Sequence, residues 1–171
     1  MNVQVTPATN DDRARFTALL ELYVYDFSEL VGLDVGDDGR FALPNYDKYW
    51  TEPRCHAFLV RVDDKLAGFA LVQRRSYLSG DETVTDMAEF FVLRRYRRHG
   101  VGERAASALF DRFAGWWEVR QRLQNSAATA FWRRIIDRYT GGKFADSVRD
   151  DTRWRGPVQR FDSRVAVARR G

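Results

Sequence analysis

The sequence predicts an α/β fold of mixed α+β character: one domain, residues 1–171, built on a central twisted sheet of about six to seven strands flanked by about four helices. Three observations carry this. Strand-like alternation and helix-like periods of apolar residues follow one another along the chain. Hydrophobic residues at 44% of 171 are enough to bury a core without covalent staples, and the lone cysteine, Cys55, allows no intrachain disulfide. A glycine-bearing turn, Arg97-Arg98-His99-Gly100-Val101-Gly102, stands where a strand pattern hands over to a helical one.

Val3 and Val5 alternate with polar neighbours as in a short strand, and Thr9 with Asp12 makes a helix start. Phe16, Leu19, Leu20, Tyr23, Phe27 and Leu30 then form one helical stripe, which Gly32, Gly36 and Gly39 end. An acidic loop, Asp34 to Gly39, precedes a short helix between Tyr46 and Glu52, stopped by Pro53. Residues 56–62 and 66–75 read as a hairpin turning at Asp63-Asp64-Lys65, and a third strand runs over about 83–93.

From Val101 the residues Ala105, Ala108, Leu109 and Phe113 keep a helical period, with Glu103 in the first turn. Trp117, Val119 and Leu123 read as one face of a strand. Asn125 or Ser126 caps a helix striped by Ala128, Phe131, Trp132, Ile135, Ile136 and Tyr139, which Gly141-Gly142 closes. Residues 144–148 and 157–161 are strand candidates, followed by an arginine-containing tail. No stretch is apolar enough to cross a bilayer, and nothing at the N-terminus reads as a secretory signal, so a cytoplasmic setting is expected.

The turn at 97–102 has the physics of an anion site. The first turn of a helix presents unpaired N–H groups and a partial positive charge, glycines let an anion approach the backbone, and neighbouring arginines add charge-assisted bonds. Gly100-Val101-Gly102-Glu103-Arg104-Ala105 also fits the dinucleotide fingerprint formally. Six residues separate it from the strand, however, and three strands precede it, so that reading fails on position. No Gly-Lys-Ser/Thr follows, which excludes the nucleoside-triphosphate loop.

With Arg97, Gly100 and Gly102 in these places, the chain resembles the GNAT superfamily of N-acetyltransferases, whose signature is Arg/Gln-x-x-Gly-x-Gly/Ala between a central strand and a helix. Glu89-Phe90-Phe91-Val92 before the loop and Asn125-x-x-Ala128-x-x-Phe131 after it extend the likeness over roughly residues 1 to 150, most strongly over 83–144. The resemblance implies transfer of an acetyl group from acetyl-CoA, as co-substrate and without a metal, to a primary amine of a small-molecule or peptide acceptor. It implies that Arg97, Arg98, His99, Gly100, Val101, Gly102 and Glu103 hold the pyrophosphate. Backbone at Phe91, Val92 and Leu93 would pair with the pantetheine arm, with Asn125 and Phe131 beside it.

The amine must lose a proton before attack, and the resemblance places the base on the strand before the loop. Glu89 is the first candidate and Asp86 the second. An odd spacing sets them on opposite faces of a regular strand unless a bulge intervenes. Where many family members carry a tyrosine that protonates the leaving thiolate, this chain has Trp132, whose indole cannot, so Tyr139, Tyr96 or solvent would do so. His56 and His99 have no partner in the pattern, adjacent Cys55 and His56 point to opposite faces, and no Cys or His pair has metal-ligand spacing.

Tyr23, Tyr25 and Phe27, with Asp34, Asp37 and Asp38, fall where the family builds its acceptor pocket, and the aspartates suit a cationic amine. Two other functions remain open. One is a basic nucleic-acid or ribosome-binding module using Arg94, Arg95, Arg97, Arg98, Arg120, Arg122, Arg133 and Arg134, compatible with the net charge of +4. The other is a catalytically silent acyl-CoA-binding regulator, which Trp132 permits. The strand 116–123 and the C-terminal strands offer a surface for a homodimer.

Overall fold

The computed structural model describes residues 1–167; the end of the arginine-containing tail lies outside them. Seven strands form one sheet in the order β1-β2-β3-β4-β5-β7-β6: β1 Val3–Pro7, β2 Cys55–Val62, β3 Lys65–Gln73, β4 Val84–Val92, β5 Trp116–Arg120, β6 Ala145–Asp150 and β7 Arg155–Asp162. All neighbours run antiparallel except β4 and β5. A parallel pair needs a crossover, and helix α3, Val101–Arg112, supplies it. The expected element order is the observed one, with β5 shorter than expected: it ends at Arg120, and Leu123 lies exposed in the turn beyond.

Each face of the sheet is covered. Phe16, Leu19, Leu20 and Val24 of α1, Arg13–Val31, pack with Tyr49 of α2, Lys48–Thr51, onto Ala57, Leu59, Phe69, Leu71 and Phe91. On the other face α3 and α4, Ser126–Thr140, bring Leu109, Phe110, Trp132, Ile135 and Ile136 against Phe58, Val72, Met87, Trp117 and Phe161. Each fully buried Leu or Phe of these layers is worth about 1.5–3 kcal/mol. Among the described residues no helix is long and apolar enough to cross a membrane.

Two irregularities of β4 position everything that follows. Leu71 of β3 pairs with Glu89 while the next residue, Val72, pairs with Met87, so Ala88 is a bulge. β4 also pairs with β5 only from Val84 to Met87, so Ala88 to Val92 have no strand partner on that side and a cleft opens between the two strands.

Candidate active site

The bulge overturns the opposite-face expectation for Asp86 and Glu89. With Met87 in the α3/α4 layer and Ala88 packed in the α1 layer, the extra residue returns Glu89 to the α1 side, the side of Asp86. The two carboxylates share a face and differ in what they meet.

Asp86, 1% exposed, is held by the guanidinium of Arg120, whose Nε and Nη2 donate to Oδ1 and Oδ2 at 2.9 and 2.8 Å. Arg120 also lies against the rings of Tyr77 and Trp154, 4.1 and 4.6 Å from their centroids. A buried bidentate pair packed against two aromatic rings is a fixed structural unit.

Glu89 is only partly exposed and has no cation in contact among the described residues. The hydroxyl of Tyr23, from α1, donates to Oε2 in a short bond, and that of Tyr46, from the segment before α2, donates to Oε1 at 2.8 Å. Burial pushes the carboxyl above its ordinary range; the two hydroxyls and Arg120 oppose that shift. Tyr23 and Tyr46 are themselves pushed up, first by burial and then by the Glu89 charge, so they stay protonated donors. The result is a carboxylate of raised basicity beside the cleft, each oxygen accepting one bond and retaining a lone pair.

The loop at the end of β4 has the geometry an anion needs. Arg98 at φ 65° and Gly100 at φ 75° adopt left-handed backbone within it, and α3 begins at Gly100 with no side chain capping its free N–H groups. Gly102 is required for a second reason: an added Cβ would lie 2.9 Å from the ring of Phe131, so only glycine lets α3 approach α4 here. Phe131 stacks on Phe90 at 6.1 Å and adjoins Trp132, which is buried against Phe90 and Phe110. Glu103, in the first turn of α3, pairs with Arg138 of α4 at 3.1 Å.

Several assigned roles are revised. The Arg97 guanidinium is not turned to the phosphate position: Nε donates to the Val92 carbonyl at 2.7 Å and Nη2 pairs with Asp26 of α1, clamping β4, loop and helix together. The Val92 carbonyl thus already accepts one bond, and the Leu93 N–H donates to the Ala67 carbonyl. Asn125 is the N-cap of α4, as the sequence predicts, its side-chain oxygen accepting from the Ala128 N–H at 3.0 Å. Tyr139 is misplaced for a general acid. It lies in the α3/α4 layer, across the sheet from Glu89, and its hydroxyl donates to Asp111, about 15 Å along α3 from the phosphate loop. Tyr96 sits in the turn before the loop and lines a hollow with Met1, Val62, Asp63, Lys65, Arg95 and His99.

Cys55 belongs to the α1 layer, whereas His56 meets Phe113 across the sheet in a tilted ring contact at 5.1 Å, its charged form disfavoured by burial. Asp34, Asp37 and Asp38 are all exposed on the loop after α1. Sequence reasoning missed Tyr46 and Arg120 as partners of the carboxylates, 43 and 34 residues away. Nothing in the pattern pairs such distant positions. Tyr23 left a trace, as a hydroxyl-bearing residue within the apolar stripe of α1.

The sheet thus loses its β4–β5 pairing after Met87, and a glycine-bearing loop joins the end of β4 to α3. The model of the acetyltransferase (GNAT) family matches residues 16–136, and the chain belongs to that family. No curated protein sequence matches it. Among solved structures it is similar to the aminoglycoside acetyltransferase AAC(6')-Ib in complex with coenzyme A, at 12% identity and TM-score 0.68, covering 99% of this chain and 100% of that one. It is also similar to an acetyltransferase from Thermus thermophilus, at 14% identity and TM-score 0.67 over 95% and 97% of the two chains. The PaiA N-acetyltransferase of Thermoplasma acidophilum, in complex with coenzyme A, matches at 9% identity and TM-score 0.62 over 95% and 99%.

Proposed function

We propose that residues 1–171 act as one N-acetyltransferase domain that moves an acetyl group from acetyl-CoA to a primary amine by direct attack, with Glu89 as the base. One observation carries this reading: a carboxylate of raised basicity, with no cation in contact among the described residues, stands beside the gap between β4 and β5, three residues before the strand end that leads to the phosphate loop.

The residues that fit the co-substrate are the backbone N–H groups of Arg98 to Gly102 for the pyrophosphate and the unpartnered stretch of β4 for the pantetheine arm. Bound acetyl-CoA supplies the activated acetyl thioester. Glu89 takes a proton from the acceptor ammonium, leaving a neutral nitrogen lone pair to attack the acetyl carbon. Tyr23 and Tyr46 hold the carboxylate in place while it does so. No tyrosine stands at Trp132, so the departing thiolate takes its proton from solvent. Asp34, Asp37 and Asp38, beyond the α1 end of the site, favour a cationic acceptor.

Against the nucleic-acid reading, Arg94 and Arg97 are spent on Asp26 and Arg120 on Asp86, so the basic surface is smaller than the sequence suggests. Thermal-shift screening against acetyl-CoA, NAD and ATP, then an amine panel read by free-thiol release, tests the proposal. Stabilisation by acetyl-CoA alone with amine-dependent thiol release is expected. Binding without release for any amine would leave a silent acyl-CoA sensor instead.

A further inference from the structure

The charged side chains of β5 that face the α1 layer each meet a partner of opposite charge until the strand ends. Trp117 and Val119 pack in the α3/α4 layer, so Glu118 and Arg120 point the other way. Glu118 accepts from the Ser76 hydroxyl at 2.6 Å and lies 4.0 Å from Arg160, and Arg120 is paired with Asp86. Arg122, two residues on, is exposed and has no acidic partner among the described residues. Its guanidinium lies 6.0 Å from the ring centroid of Trp154, the ring that Arg120 also meets. Sharing that ring places Arg122 on the side of Arg120 and Asp86, which is also the side of Glu89.

Register and charge both set Arg122 beside the base. β4 and β5 pair up to Met87 and Val119, and the Gln121 N–H still donates to the Pro157 carbonyl of β7. The chain thus carries Arg122 past the end of the β4–β5 ladder, across the gap from the stretch that begins at Glu89. The Tyr23 hydroxyl, which donates to Glu89, is pushed up by burial and by the Glu89 charge, and the Arg122 charge opposes that shift. A charge acts over roughly 10 Å before salt screens it, so this cation and the base belong to one site.

An acceptor amine arrives at Glu89 as an ammonium, drawn by the carboxylate, while another part of the same molecule meets a cation that has no counter-charge and favours an anion. One unpaired guanidinium matches one negative charge, and its planar fork fits the two oxygens of a carboxylate. A phosphate, at close to two charges, would call for a second free cation, and Arg120 is taken by Asp86. We propose that Arg122 binds a carboxylate of the acceptor, so that the substrate class is amino acids, which carry the reacting amine and a carboxylate together, and not simple amines. This rests on the N-acetyltransferase reading above and leaves proton removal to Glu89.

Steady-state acetylation of matched acceptors by the full chain tests this: leucine with isopentylamine, phenylalanine with phenethylamine and lysine with cadaverine, together with the aminophosphonic acid analogue of each amino acid. The wild type is expected to show kcat/KM at least tenfold higher for the best amino acid than for its decarboxylated partner. Arg122→Ala brings that ratio toward one, through KM and not kcat, and Arg122→Glu turns it below one. The side chain is exposed, so the melting temperature is expected to hold; Arg122→Gln repeats the test if it does not. A wild type that prefers the decarboxylated amines, or a preference undiminished in the variants, overturns the proposal. So does a wild-type preference for the phosphonates, because the anion recognised is then a phosphate. Calorimetric titration with CoA reads binding without turnover, and a CoA affinity that falls tenfold in Arg122→Ala assigns the arginine to the co-substrate and overturns the proposal as well. If simple amines release thiol and no amino acid does, this inference alone falls; if no amine releases thiol, the N-acetyltransferase reading falls and takes this inference with it.

Discussion

The two halves of β4 carry one carboxylate each and treat it in opposite ways. In the half paired with β5, Val84 to Met87, Asp86 is sealed at 1% exposure against the Arg120 guanidinium. In the half open toward β5, Glu89 meets neutral hydroxyls and stays partly exposed. A carboxylate locked by a guanidinium in a bidentate pair is engaged through both oxygens by one buried cation. One held by hydroxyls in a partly buried place keeps both its charge and a raised proton affinity. Strand pairing thus separates the surroundings of the two carboxylates: Asp86 lies where β4 pairs with β5, Glu89 where it does not.

The strongest way to break that comparison is Glu89→Gln, which keeps shape and removes the base. kcat/KM for the preferred amine is expected to fall by roughly 10²–10⁴-fold, and the acid limb of its pH profile to disappear. Unchanged turnover and pH profile would assign the base elsewhere. Stability gives the sign independently. Because burial raises the folded carboxyl above its unfolded value, the native state keeps its proton to higher pH, so stability falls as pH rises through that window. Glu89→Gln abolishes this loss, which urea titrations at pH values spanning the window would record.

Asp86→Asn should act on the other half, through the fold. Removing one partner of a buried pair leaves Arg120, 8% exposed, uncompensated, at a cost of about 3–5 kcal/mol in urea unfolding. The acid limb should survive and move to lower pH, since Asp86 raises the Glu89 carboxyl and Arg120 lowers it. A variant of native stability whose acid limb is lost would exchange the roles of the two halves.

What the sequence made legible follows from range. Element order, the sheet with helices on both faces, and the glycine-bearing turn between β4 and α3 were readable because strand and helix periods and the Arg97–Gly102 spacing are local. The site was legible only as a list of residues. The side Glu89 faces depends on the bulge at Ala88, and the bulge is a matter of register against β3. Arg97 reads as a phosphate ligand until α1 brings Asp26 beside it, 71 residues away. Tyr139 reads as an acid until its layer is known, because a helical period identifies the buried face but not which side of the sheet it packs against.

The finest test separates the two hydroxyls that set Glu89 apart. Tyr23 is fixed on a nineteen-residue helix, whereas Tyr46 comes from the segment that joins the acidic loop to α2. Both donate to the ionised carboxylate, and a donor to the charged form lowers the pKa. Tyr46→Phe removes one donor and little volume, so the acid limb of kcat/KM should move to higher pH, the direction opposite to Asp86→Asn. At pH above the shifted limb the stronger base keeps kcat near its original value, while below it activity falls more steeply than in the wild type. A stability change of about 1.5–3 kcal/mol, the range for a hydrogen bond to a charged group, accompanies the shift if the bond is kept throughout the folded state. A profile that stays put while stability drops would mean that Tyr46 braces the loop without tuning Glu89, and the open half of β4 would then owe its basicity to burial and Tyr23 alone.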